Sequence, residues 1–146
     1  MEIIKMRINN TKDKEQRLAL NKWAMNGFIG SIIAGTGFGK SRLAVLAIEY
    51  TLSKNENGKA LLLVPTIQLQ NQFRDEFHKW NCTNYLNKVD ILCYHSAYKL
   101  QNNHYDIVVC DEIHLGLSPE YRKFFANNTY DKLLCMTATL PEDEEY

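Results

Sequence analysis

The eight residues AGTGFGKS at Ala34–Ser41 constrain this chain more than any other stretch. They close an apolar run, Phe28–Ala34, that reads as a buried strand. From Lys40 to about Ser53 a helical pattern follows, with Leu43, Ala44, Ala47 and Ile48 on one face. A strand that enters a helix through a glycine-rich turn ending in Gly-Lys-Ser has the pattern of a phosphate-binding loop. Glycines at Gly35, Gly37 and Gly39, with Thr36 and Phe38 between them, let successive N–H groups converge on phosphate oxygens. The helix N-terminus near Lys40 adds its dipole. Lys40 is expected to reach the β and γ phosphates of a nucleotide, and the Ser41 hydroxyl to ligate Mg2+. Ala34 stands where the strict pattern has glycine, which leaves the turn to the later glycines.

Around this loop, strand and helix patterns alternate, and that alternation predicts a layered α/β fold with a mainly parallel sheet. An amphipathic stretch from about Asp13 to Met25 reads as a helix ended by Asn26-Gly27. Strands are expected at Lys59–Pro65, Val89–Tyr94, Tyr105–Cys110 and Lys132–Met136. Helices are expected from about Thr66 to Trp80, near Ser96–Leu100, and from an N-cap at Ser118. In such a sheet, ligands bind outside the carboxyl ends of the strands.

Asp111-Glu112-Ile113-His114 follows the apolar strand that contains Ile107–Val109. Mg2+ bridging two phosphates needs a hard oxygen ligand, which Asp111 supplies. Glu112 is then placed to orient and deprotonate an attacking water. The role of His114 is less determined by chemistry. Thr137-Ala138-Thr139 ends the fifth strand and falls at the same edge of the sheet.

The composition fits one globular domain: 146 residues, 45% hydrophobic and 23% charged. No apolar run has the length of a membrane span, and the N-terminus lacks a signal-peptide pattern, so a cytoplasmic location and no membrane partner are expected. Cys82, Cys93, Cys110 and Cys135 show no metal-ligand spacing and read as reduced thiols. Seventeen basic residues balance seventeen acidic ones, so any nucleic-acid contact has to be local rather than driven by overall charge.

With these segments in this order, the chain resembles the first RecA-like domain of superfamily-two helicases and translocases. Within that family it is nearest to the DExH group of phage helicases and restriction-enzyme motor subunits. AGTGFGKS corresponds to motif I, DEIH to motif II and Met136–Leu140 to motif III, which couples nucleotide state to nucleic-acid binding through Thr137, Ala138 and Thr139. Leu61–Phe73 is similar to motif Ia, which implies backbone contacts at Pro65 and Thr66; Cys93–Leu100 stands where the next such motif falls, implying His95 and Ser96. Gln16 resembles the glutamine that reads the adenine edge. The resemblance implies a P-loop, RecA-like three-layer sandwich that takes ATP and Mg2+ and acts on DNA, or RNA. It places the ATP-binding domain at residues 1–140 and the start of an acidic linker at 141–146. It also implies a second RecA-like domain, which carries the arginine fingers, acting in trans or lost by truncation. The chain is therefore expected to be a fragment or split-gene product of a helicase-type hydrolase, nearly inactive alone, and in the host-cell cytoplasm if phage-encoded.

Two other readings compete. A nucleotide-binding module with little turnover, regulatory or remnant, has the same loop. A P-loop NTPase of other purpose, such as a kinase or transport ATPase, lacks a reason for the Pro65-Thr66 turn and the Thr137–Thr139 segment.

Overall fold

The computed structural model describes residues 10–33, 39–112 and 119–137. Five strands form one all-parallel sheet: β1 (Ile29–Ile33), β2 (Ala60–Val64), β3 (Val89–Cys93), β4 (His104–Asp111) and β5 (Thr129–Thr137). Their spatial order is β1-β5-β4-β2-β3. Helix α1 (Asn10–Met25) precedes β1, and the crossovers are α2 (Lys40–Ser53), α3 (Ile67–Lys79), α4 (Tyr94–Ala97) and α5 (Pro119–Asn127), with a 3-10 turn at Thr83–Lys88 before β3.

The continuous apolar runs explain why the central strands are parallel and covered on both faces. All five residues of β2, ALLLV, are fully buried. Alternation splits them: Ala60, Leu62 and Val64 join a core with Leu43, Ile48, Phe73 and Phe77. Leu61 and Leu63 join the other core, with Tyr94, Ala97 and Phe124. Helices α1, α2 and α3 thus cover one face and α4 and α5 the other, giving the three layers expected. Each fully buried Leu, Ile or Phe contributes on the order of 1.5–3 kcal/mol.

Local signals set the helix ends. Gly39 enters α2 in the left-handed conformation, at φ 84°. Thr66 Oγ1 accepts from Leu69 N–H at 3.2 Å and caps α3, whose Phe73 and Phe77 are four apart and buried on one face. Trp23 fastens α1 to the sheet, its Nε1–H donating to Leu133 O at 2.8 Å.

One strand differs from the sequence reading. The run Phe28–Ala34 reads as buried, whereas β1 is an edge strand with Ile29 47% and Ile33 51% exposed. Only Ile32 turns into the core, because no helix among the described residues covers the other face of β1. The N-cap expected at Ser118 and the linker at 141–146 lie outside the described residues.

Candidate functional site

Sheet order brings the carboxyl ends of β1, β5 and β4 side by side, and with them Gly39-Lys40-Ser41, Thr137 and Asp111-Glu112. The Lys40 ammonium is ion-paired with Glu112 and lies 3.2 Å from Asp111 Oδ1. The Asp111 side chain is only 4% exposed, and those of Lys40 and Glu112 are about one-fifth exposed. Thr137 Oγ1 donates to Glu112 Oε1 at 3.3 Å, joining the end of β5 to the carboxylate pair. Behind them, the buried Tyr94 hydroxyl donates to Asp111 O at 2.5 Å.

Glu112 has a positive φ of 53°, sparsely populated by residues other than glycine. Its N–H donates to Met136 O at 2.7 Å, which holds that conformation and turns the side chain toward Lys40. Strain of this kind persists where surrounding contacts over-determine it, and it concentrates at functional sites.

The charges perturb one another. Burial pushes the Asp111 carboxyl above its ordinary range, against the pull of Lys40. Burial also works against the Lys40 ammonium, but hydrogen bonding to Glu112 and the charge of Asp111 outweigh it and leave its pKa raised. Asp111 Oδ1 is buried without a well-aligned hydrogen bond. A buried carboxylate oxygen facing only a cation is the donor that a hard divalent ion requires, so the residues present fit Mg2+.

The cleft beside this cluster has a volume of about 460 Å3 and runs between α2 and α3. Ser41 lines it with Lys40, and so do Asp75 and Glu76. These two acids were not singled out in the sequence. Glu76 had a signal: Leu69, Gln72, Phe73 and Glu76 fall on one helical face, and all four line the cleft. A larger groove, about 550 Å3, lies between α1 and α2 near Trp23, Phe28 and Tyr50. It borders the amino end of β1 and holds none of the phosphate or metal candidates.

Gln16 is 1% exposed, and its Nε2 points at Gly39 O at 3.5 Å. Arg42, which the sequence reading passed over, donates from Nη1 to Gln16 Oε1 at 2.8 Å and to Asp13 Oδ1 at 2.5 Å. Its position directly after Gly-Lys-Ser was the available signal. Hydrogen bonds from Arg42 and Arg17 outweigh the burial of Asp13 and hold its carboxyl below the ordinary range.

The Pro65-Thr66 and His95-Ser96 candidates follow the adjacent strands β2 and β3, whose ends Val64 and Cys93 are in register. Thr66 and His95 are exposed, Pro65 and Ser96 half-buried. They share a sheet edge with the Lys40 cluster. Gly35, Thr36, Gly37, Phe38, His114, Ala138 and Thr139 lie outside the described residues.

The DEAD/DEAH box helicase family model matches residues 13–103, more than half of the chain. The chain belongs to the DEAD/DEAH box helicase family. It is a helicase-type ATP-binding domain, of a family whose activity is ATP-dependent hydrolysis. No curated protein sequence matches it. Among solved structures it is similar to the UvsW helicase from bacteriophage T4, with TM-score 0.72 and 20% identity over 88% of this chain and 52% of that one. It is also similar to the Pyrococcus furiosus Hef helicase domain, with TM-score 0.66 and 20% identity over 88% of this chain and 33% of that one. A third is the Sulfolobus solfataricus SWI2/SNF2 ATPase core in complex with dsDNA, with TM-score 0.69 and 15% identity over 92% of this chain and 32% of that one. At these identities the likeness establishes the RecA-like fold. The chain spans about half the length of the first of these structures and about a third of the other two. Among the described residues, no helix of this DEAD/DEAH domain is long and apolar enough to cross a membrane.

Proposed function

We propose that this domain is the nucleotide-binding half of a DNA motor, hydrolysing ATP in step with contacts to a nucleic-acid backbone. The observation that carries the reading is the convergence of Lys40, Asp111, Glu112 and Thr137 at neighbouring strand ends. Lys40 is already held by two carboxylates, so an arriving phosphate competes with Asp111 and Glu112 for its ammonium. Transfer of Lys40 to the phosphates would free Asp111, which with Ser41 would hold Mg2+, and would free Glu112 to take a proton from water. When bound, the metal neutralises phosphate charge. Asp75, Glu76, Asp111 and Glu112 make the cleft acidic, so the metal complex of ATP enters at lower electrostatic cost than the bare anion.

Thr137, bonded to Glu112, is the first residue of the coupling segment Thr137-Ala138-Thr139, and His114 follows the carboxylate pair in sequence. Pro65, Thr66, His95 and Ser96 offer backbone contacts to DNA, or RNA, on the same edge of the sheet. Such contacts to phosphate carry little sequence preference. The dsDNA in the Sulfolobus complex supports a nucleic-acid partner for this fold. A second RecA-like domain would complete the catalytic charge balance with an arginine finger.

The test is ATP turnover with and without single-stranded DNA. Without an arginine finger, worth about 10³–10⁵ in rate in P-loop enzymes, turnover by this chain alone should be very slow. A separately supplied second RecA-like domain should raise it, and Glu112→Gln should abolish it. Brisk DNA-stimulated turnover by the chain alone, or turnover that survives Glu112→Gln, contradicts the proposal.

A further inference from the structure

We propose that Tyr94 is a positioning residue of this site: its hydroxyl fixes the Asp111–Glu112 peptide and so holds Glu112 in its working conformation. The inference rests on the nucleotide-site reading above and concerns what keeps the water-activating carboxylate in place.

Glu112 needs such a hold. Its φ of 53° lies in the left-handed region, where a residue with a Cβ persists only if its surroundings over-determine it. The angle φ is a rotation about the N–Cα bond, so it depends on the plane of the peptide that joins Asp111 to Glu112. That plane offers two handles, the Asp111 C=O and the Glu112 N–H, which point in opposite directions across a trans peptide. The sheet takes one of them: Glu112 N–H donates to Met136 O at 2.7 Å. A single hydrogen bond still leaves the plane able to tilt about its axis.

The second handle lies beyond the reach of the β2 ladder. Strands β2 and β4 stay in register only as far as Leu63 and Cys110, and after Val64 the chain turns through Pro65-Thr66 into α3. The Asp111 carbonyl, one residue past the last of these pairs, takes its donor from a side chain instead. Tyr94 supplies it. Tyr94 leaves the end of β3 as the first residue of α4, packs in the core that also holds Ala97, Cys110 and Phe124, and is 8% exposed. Its hydroxyl meets Asp111 O at 2.5 Å. A carbonyl oxygen only accepts, so the phenol is the donor.

With both handles held, the Glu112 carboxylate faces Lys40 on one side and accepts from Thr137 Oγ1 on the other. A tilt of the peptide would swing that carboxylate. It would move Asp111 less, because the Asp111 Cα is in register with Met136 of β5. Nucleotide and metal binding, which use Lys40, Ser41 and Asp111, should therefore depend little on the Tyr94 hydroxyl. Activation of water, which uses Glu112, should depend on it strongly.

The experiment compares the full wild-type chain with Tyr94→Phe, which keeps the ring and removes only the donor. Amide hydrogen exchange followed residue by residue by NMR reads the peptide itself, and Val108 and Val109, inside β4, report global unfolding in the same spectra. Tyr94→Phe should speed exchange at Glu112 by about tenfold or more beyond any change at those two valines. The MgATP dissociation constant should change by less than about threefold, while single-turnover hydrolysis slows by about tenfold or more. Equal changes at all three amides would make Tyr94 a packing residue and overturn the inference, as would hydrolysis and affinity that fall together or hydrolysis that does not fall. Where wild-type hydrolysis is too slow to follow, the exchange ratio decides. If Tyr94→Phe fails to fold, the wild type decides: a Glu112 amide protected like a strand amide sustains the inference, and one exchanging like an unstructured peptide overturns it. No MgATP binding by the wild type overturns the nucleotide site and this role together, whereas MgATP binding with equal changes at the three amides overturns the role alone.

Discussion

Replacing Gly39 with alanine probes the junction between the phosphate loop, α2 and the buried Gln16 side chain with a single methyl group. Gly39 has φ 84°, a conformation that costs an L-residue about 1–2 kcal/mol. The added Cβ would also lie 2.3 Å from Gln16 Nε2 and 3.6 Å from its Cδ. A flexible side chain could swing away, but Gln16 is 1% exposed and bonded to Arg42. Displacing it forfeits a hydrogen bond to a charged group, about 1.5–3 kcal/mol. The two contributions together put Gly39→Ala at about 2.5–5 kcal/mol of lost stability, or roughly 5–20 °C in Tm for a domain of this size. Urea denaturation followed by circular dichroism measures it directly. The Gln16 contact makes a sharper demand on the double mutant. In a Gln16→Ala background the clash is gone, so Gly39→Ala should cost only the backbone share, about 1–2 kcal/mol. A cost below about 1 kcal/mol in the wild type, or the same cost in both backgrounds, refutes the reasoning.

Two further outcomes follow from particular contacts. Thr66→Ala removes the cap on α3 and should lower stability by about 1 kcal/mol by chemical denaturation. If Thr66 also touches a nucleic-acid backbone, fluorescence anisotropy with a single-stranded oligonucleotide should show weaker, salt-sensitive binding; unchanged affinity assigns Thr66 to capping alone. Burial, with a smaller push from Glu49, raises the Cys82 thiol from its ordinary 9.0 to about 11. A raised folded-state pKa gives stability that is fully present below the unfolded value and lost as pH rises through the folded one. Stability should therefore fall between pH 9 and 11, less steeply in Cys82→Ala, and identical pH profiles for the two proteins count against the burial of this thiol.

The helical face of α2 was legible because Gly39 fixes its start and Leu43, Ala44, Ala47 and Ile48 repeat with helical spacing. The same holds for β2 and for the strand ahead of Asp111, where unbroken apolar runs admit few alternatives to a covered strand. Boundaries were less legible where polar residues join a ladder: β5 starts at Thr129, three residues before the expected start at Lys132, because His104 and Tyr105 of β4 supply partners for Thr129 and Tyr130. Thr83–Lys88 has no periodicity to announce a 3-10 turn. The exposure of Ile29 and Ile33 depends on which strand ends at the sheet edge, and IGSII reads alike in either place. At the site, Lys40, Asp111 and Glu112 carried their chemistry in local motifs. Arg42 and Asp13 did not, because their pairing joins residues 29 apart and exists only once α1 lies beside α2.

Calorimetric titration of the chain with MgATP tests the central claim most directly. The account predicts binding that requires Mg2+, because an acidic cleft opposes the bare nucleotide, and that is largely lost in Lys40→Ala. Binding that is indifferent to Mg2+, or undiminished in Lys40→Ala, would contradict it.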